Sequence, residues 1–248
     1  MGSGVHVTII SRRQLLATTA VALIVLPHTA LGSILRGALP WEPGKADPPK
    51  RVMPGPWLYF TPAEGAMVEA LADRLIPPDT ETPGGKDAGC AVFIDRQLAG
   101  PYGRFDGLYM GAPFQPGSKQ QGPQSPVTPA QQYRLALAAL DRHSRQTYAD
   151  TPLVKLTITQ QDEIIGNLEN GSIKIEGKPG SDFFDQLLKD TQQGFFADPI
   201  YGGNKDMAAW KMIGFPGARY DYRDWIDRHN ERYPHPPVGI GQHPDWSL

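Results

Sequence analysis

Cysteine is nearly absent: Cys90 is the one such residue among 248. A disulfide within the chain is thereby excluded, and so is a thiolate cage for zinc or an iron–sulfur cluster. Charge of one sign is also lacking, with 24 Lys and Arg against 26 Asp and Glu and a formal net charge of -2. Nucleic acid and anionic membrane surfaces both attract a basic excess, so neither is an expected partner. No long hydrophobic run is evident either. The most apolar stretch, residues 15–26, covers about 12 residues where a spanning helix needs about 20. Proline and glycine, by contrast, are plentiful at 25 and 27 residues. That composition, short of the disordered range, predicts one folded domain with long, stiff loops.

The first segment reads as an address. Ser11-Arg12-Arg13-Gln14-Leu15-Leu16 opens the apolar run, Pro27 closes it, and no acidic residue precedes Glu42. Ala30-Leu31-Gly32 offers a small-residue exit, with Ser33 as the first mature residue. Paired arginines flanked by Ser and Leu-Leu predict a twin-arginine signal, in which Arg12 and Arg13 are read by the twin-arginine translocase. That route carries proteins already folded. A chain with no cofactor motif of its own that uses it points to a partner exported alongside.

The expected organisation is a leader over 1–32, an extended arm over 33–60, a helical domain over 61–238 and a tail over 239–248. Thr61-Pro62-Ala63-Glu64 is a capping box with Pro at the first helical position, and Met67, Val68, Leu71, Leu75 and Ile76 follow at helical spacing up to Pro77-Pro78. A short helix is predicted over 91–98. Residues 100–126, rich in Pro and Gly and without periodicity, predict a long surface loop. Thr128-Pro129-Ala130-Gln131 repeats the start chemistry, and Tyr133, Leu137, Leu140 and Ser144 trace the inner face of a long helix. Thr157 with Gln160 opens another, with Ile158, Ile164, Ile165 and Leu168 as its apolar residues and Gly171 as its stop. The next spans 182–193, with Phe183, Phe184, Leu187 and Leu188 inward. Strand-like alternation is confined to 171–176, too brief for a sheet. The predicted class is mainly α, a single irregular helical domain.

Catalytic motifs are missing. No pair of histidines has the spacing a zinc protease needs, no Gly-rich nucleotide fingerprint follows a strand, and no nucleophile elbow occurs. Neither a catalytic residue nor a cofactor-binding or metal-binding residue is assigned in this chain. His229, with Asp224 or Asp227, is the one conceivable acid–base group, and its charged surroundings favour a surface role. Asp141 and Arg145 are spaced for a surface ion pair, and Cys90 reads as a buried apolar residue.

The densest stretch is 194–217, with five aromatics and two Met among glycines and prolines. Its composition suits aromatic anchors at a protein interface, although each residue taken singly fits a core as well. Phe195, Phe196, Tyr201, Trp210 and Phe215 are the candidate anchors, with the 100–126 loop expected beside them.

The run Gly194-Phe195-Phe196-Ala197-Asp198-Pro199, followed by Gly202-Gly203-Asn204, Trp210-Lys211 and Gly214-Phe215-Pro216-Gly217, resembles the gluconate 2-dehydrogenase subunit 3 family. Tyr220-Asp221-Tyr222-Arg223-Asp224 and the earlier segment from Phe93 to Gly103 fit it too, so the resemblance covers about 61–238. It implies a small subunit of a membrane-associated sugar or sugar-acid dehydrogenase in the bacterial periplasm. In such complexes an FAD-dependent large subunit of the glucose-methanol-choline type performs the oxidation. A multihaem cytochrome c subunit, carrying haem c, takes the electrons, and the small subunit supports folding, export and assembly. No catalytic residues carry over. Two other readings stand beside it: a free-standing periplasmic sugar-binding module, and a periplasmic enzyme of unrecognised chemistry built on His229.

Overall fold

The computed structural model describes residues 55–240 except 116, 123, 124, 220 and 221. The leader with Arg12 and Arg13, most of the arm, and the tail from 241 lie outside the described residues.

The described chain is mainly helical, as its periodicity predicts. Helix α1 (Pro62–Leu75) starts where Thr61 accepts the N–H of Glu64 while the Glu64 carboxylate accepts the N–H of Thr61. Helix α2 (Cys90–Ala99) follows Gly89, whose φ of 82 lies in the left-handed region. Helix α4 (Pro129–Thr147) and α5 (Ile158–Glu169) open on the same reciprocal cap, Thr128 with Gln131 and Thr157 with Gln160. Each such cap satisfies two amides that the first helical turn leaves unpaired. A two-stranded antiparallel hairpin, β1 (Lys174–Ile175) and β2 (Lys178–Pro179), leads into α6 (Ser181–Phe196), and α7 (Ala208–Ile213) follows.

Two expectations change. The 100–126 stretch is not loop throughout, because Pro101 starts a further helical turn, α3 (Pro101–Arg104), and a 3₁₀ turn forms at Lys119–Gln121. Pro fits the first helical position, where its missing N–H is no loss. Of the apolar residues of α5, Ile164 and Leu168 are buried, Ile165 packs half-buried against the core, and Ile158, at the first helical position, is exposed. Helix α6 runs on to Phe196, so Gly194, Phe195 and Phe196 belong to a helix and not to irregular chain.

The core lies where α6 packs on α2 and α5, with α1 and α4 closing the sides. Val68, Leu71, Ile94, Leu98, Tyr133, Leu137, Leu140, Ile164, Leu168, Phe183 and Leu187 are fully enclosed. Burying side chains of this size contributes roughly 1.5–3 kcal/mol each before chain entropy is charged against it. Residues 57–60, at the end of the expected arm, join this core: Trp57 and Tyr59 pack against it and Phe60 is buried. The buried carboxylate of Asp95 accepts the backbone N–H groups of Leu58, Tyr59 and Phe60 at 2.8, 2.9 and 2.9 Å. Arg96 pairs with the same carboxylate at 2.5 Å. Asp141 and Arg145 form their i, i+4 pair at 2.9 Å, exposed and therefore of little energetic weight.

Candidate partner-docking site

The aromatic stretch folds as a braced layer over the end of α6. Gly194 lies where a Cβ would come within 3.2 Å of the Cα of Cys90, and a Cβ on Gly203 would lie 2.0 Å from the carbonyl oxygen of Gly194. Only glycine admits the return of the chain against the helix at this point. Asn204 then takes a left-handed conformation at φ 44 with its side chain fully buried. Its Nδ2 donates to the carbonyl oxygen of Ala197 at 2.9 Å and its Oδ1 accepts the N–H of Ala209 at 3.0 Å. One amide thus ties the exit of α6 to the entry of α7. Asn is among the few non-glycine residues that visit this backbone region readily, and buried amide groups persist only when hydrogen-bonded on both sides.

Further bonds complete the brace. The indole N–H of Trp210 donates to the carbonyl oxygen of Phe196 at 2.9 Å, and the N–H of Phe215 donates to the carbonyl oxygen of Trp210 at 2.9 Å. The Asp198 carboxylate accepts the N–H of Ile200 at 3.0 Å and that of Ile240 at 2.7 Å, tying residue 240 to the layer. Gly217 and Val238 form a parallel bridge beside it.

The five candidate anchors separate into two rows. Phe195 and Trp210 are 3% and 6% exposed and face inward, Phe195 against Ala72, Ala88, Cys90 and Ala209. Phe196, Tyr201 and Phe215 are 42%, 48% and 41% exposed. The inner rings support the outer ones edge-on, Phe195 beneath Phe196 at 5.2 Å between centroids and Trp210 beneath Phe215 at 5.1 Å. Met212 and Ile213 on α7, and Ile240 farther along the chain, are exposed apolar residues as well. Several large apolar side chains left in water and held rigid are what a docking face requires.

Chemistry is sparse here. Cys90 is enclosed, and burial pushes its thiol up to about 12, so it carries no thiolate at neutral pH. Asp224, Asp227 and His229 are all exposed. No group of three His, Cys, Asp or Glu residues suited to a metal occurs among the described residues. No described helix is long and apolar enough to cross a membrane.

A second polar cluster escapes notice in the sequence. Asp190 is buried in α6, where the hydroxyl of Tyr133 donates to it at 2.9 Å and that of Tyr102 at 3.0 and 3.2 Å. Burial pushes the Asp190 carboxyl up to about 6, against the pull of the two phenols. The signal was its register: Asp190 falls three residues after Leu187, on the stripe of Phe183, Leu187 and Gly194, where a carboxylate is out of place.

A domain of this kind, helical and carrying a braced aromatic face, fits a subunit of a larger assembly. The family model described as gluconate 2-dehydrogenase subunit 3 matches residues 62–217. The chain belongs to the gluconate 2-dehydrogenase subunit 3 family. The match ends at Gly217, short of the Val238 to which the resemblance was expected to run. No curated protein and no solved structure matches the chain.

Proposed function

We propose that the chain is the small, non-catalytic subunit of a periplasmic, flavin-dependent complex of the gluconate 2-dehydrogenase type. It supports folding, twin-arginine export and assembly of an FAD-bearing large subunit of the glucose-methanol-choline type, and a multihaem cytochrome c subunit carries the electrons onward. The complex, and not this chain, is associated with the inner membrane. Family membership supports the reading, and the exposed row of Phe196, Tyr201 and Phe215 on its braced layer is the observation that carries it. Apolar side chains held in water by a rigid support lose little entropy when a partner covers them, which favours association.

The test is to look in the neighbouring reading frames for a flavin dehydrogenase without a signal of its own and to co-express it with the full chain. Co-purification of a yellow, FAD-containing complex is the expected result. A full chain that purifies alone in the presence of that dehydrogenase, and binds sugar by calorimetry, would replace this reading with the sugar-binding module.

A further inference from the structure

We propose that residues 218–238 form a second docking element, which contacts the same flavin subunit as the aromatic layer and does so through Tyr222, Trp225 and Ile226. The identity of the partner rests on the function proposed for the chain, and the existence of the contact rests on the make-up of this loop. The loop is closed at its root. Gly217 takes φ 79 and comes so near Val238 that a Cβ on it would lie 2.1 Å from the Val238 carbonyl oxygen, a position that admits glycine alone. The N–H of Ala218 donates to that oxygen at 2.7 Å, the N–H of Val238 to the carbonyl oxygen of Pro216 at 3.2 Å, and Arg219 Nη2 to that of Pro236 at 2.7 Å. Both ends of the loop are rooted in the docking layer, since Phe215 stands just before Gly217 and the N–H of Ile240, just after Val238, bonds the Asp198 carboxylate.

Beyond its root the loop is ordered by rings. Tyr233 stands at the centre, with Trp225 at 5.3 Å, His235 at 5.4 Å and Tyr222 at 5.8 Å between centroids, and the Arg228 guanidinium lies 4.5 Å from the centroid of Trp225. A 3₁₀ turn at Arg223–Trp225 sets the spacing of these side chains. Yet none of the described residues of 218–237 is buried, and Ile226 and Tyr222 are 63% and 37% exposed. Ordering a segment costs chain entropy that burial normally offsets, and here the chain itself supplies no burial. Another surface has to supply it.

Composition gives the kind of surface. The stretch 219–235 holds four Arg, three Tyr and a Trp, and no Lys. Tyr, Trp and Arg carry most of the binding energy at protein interfaces, where Lys is depleted. Four acidic residues are interspersed with the arginines, so no basic excess favours nucleic acid or an anionic bilayer. Area extends the contact from the layer to the loop. Phe196, Tyr201 and Phe215 are 42%, 48% and 41% exposed. Rings that bury about 150–250 Å² when fully covered therefore offer roughly 300 Å² between the three of them, where a stable contact takes about 800 Å² from each side. A partner seated on those rings reaches past them, and the loop that leaves the layer just after Phe215 is adjoining surface.

Association of the full chain with the flavin dehydrogenase tests the proposal, read beside the melting of the chain alone. Ile226→Asp places a charge in the contact at an exposed position, so the melt should stay as in wild type while association weakens by about thirtyfold or more, the loss of one anchor. Hydrogen exchange gives an independent readout. The amides of Trp225 and Arg228, which donate to the carbonyl oxygens of Tyr222 and Trp225, should gain about tenfold protection or more when the flavin subunit binds. Unchanged association in Ile226→Asp, or equal exchange of these amides in the free and the bound chain, overturns the proposal. So does binding of the wild-type chain to vesicles of phosphatidylethanolamine and phosphatidylglycerol, or self-association, that Ile226→Asp abolishes, since either gives the loop a different partner. A wild-type chain that never associates with the dehydrogenase fails the proposed function itself, whereas association that Phe215→Ala weakens and Ile226→Asp leaves intact fails this inference alone.

Discussion

The indole of Trp210 hydrogen-bonds the carbonyl oxygen of Phe196, the last residue of α6, at 2.9 Å. One side chain therefore caps a helix end and supports the ring of Phe215. Trp210→Ala should cost the isolated chain about 3–5 kcal/mol of folding stability, the usual loss for a buried aromatic. Trp210→Phe keeps most of the packing but strands the carbonyl oxygen, and should cost about 1–3 kcal/mol. Denaturant unfolding of the two variants checks the order. Equal losses would mean that the hydrogen bond contributes nothing.

The outer row behaves differently. Phe196→Ala, Tyr201→Ala and Phe215→Ala remove rings that are nearly half exposed, so each should lower stability by about 1 kcal/mol or less. Each true anchor among them should weaken association with the flavin subunit by about 2 kcal/mol or more, a loss of roughly thirtyfold. Melting of each variant, set beside its co-purification, separates the two effects. A collapsed melt would return that residue to the core.

Burial holds the Asp190 carboxyl at about 6 in the folded chain, above its ordinary value. The folded state therefore binds the proton more tightly than the unfolded one. The stability this group contributes is full below pH of about 4 and is lost as pH rises through about 6. Asp190→Asn abolishes that dependence, so its stability relative to wild type should rise between pH 5 and pH 7.5, by about 1.4 kcal/mol. Parallel unfolding curves at the two pH values measure it. A constant difference between variant and wild type would show that the carboxyl titrates normally.

Cys90 is sealed beneath Phe195 and Ala209, and its thiol is pushed up to about 12 by burial. A thiol reagent at pH 8 should label the native chain only through unfolding and the denatured chain at once. Rapid labelling of the native chain would mean that the layer opens far more readily than its packing implies.

The helices with reciprocal caps were legible because Thr61, Thr128 and Thr157 each have a Glu or Gln three residues later, a local signal that needs no tertiary context. The inner faces of α4 and α6 were legible from their period. Helix α3 was not, because four residues give no period, and its stability comes from the inward hydroxyl of Tyr102. The anchor set was half legible. Composition marks 194–217 as aromatic, but whether a ring faces in or out depends on the turn at Asn204 and the backbone contact of Gly194 with Gly203, both of which arise only after folding. The roles of Asp190 and Asp95 were not legible, because their partners lie 57 and 88 residues away for Asp190 and 35 to 37 for Asp95.

The central claim is that this chain carries no catalysis of its own and brings a flavin subunit out of the cytoplasm. Its most direct test is the cellular location of that subunit when Arg12 and Arg13 are both replaced by Lys. With the arginine pair read by the translocase, as proposed, the account predicts that the chain and the FAD-containing dehydrogenase both remain in the cytoplasm, and that periplasmic dye-linked oxidation of the complex's sugar or sugar-acid substrate disappears. A flavin subunit that still reaches the periplasm, active, in this variant would contradict it.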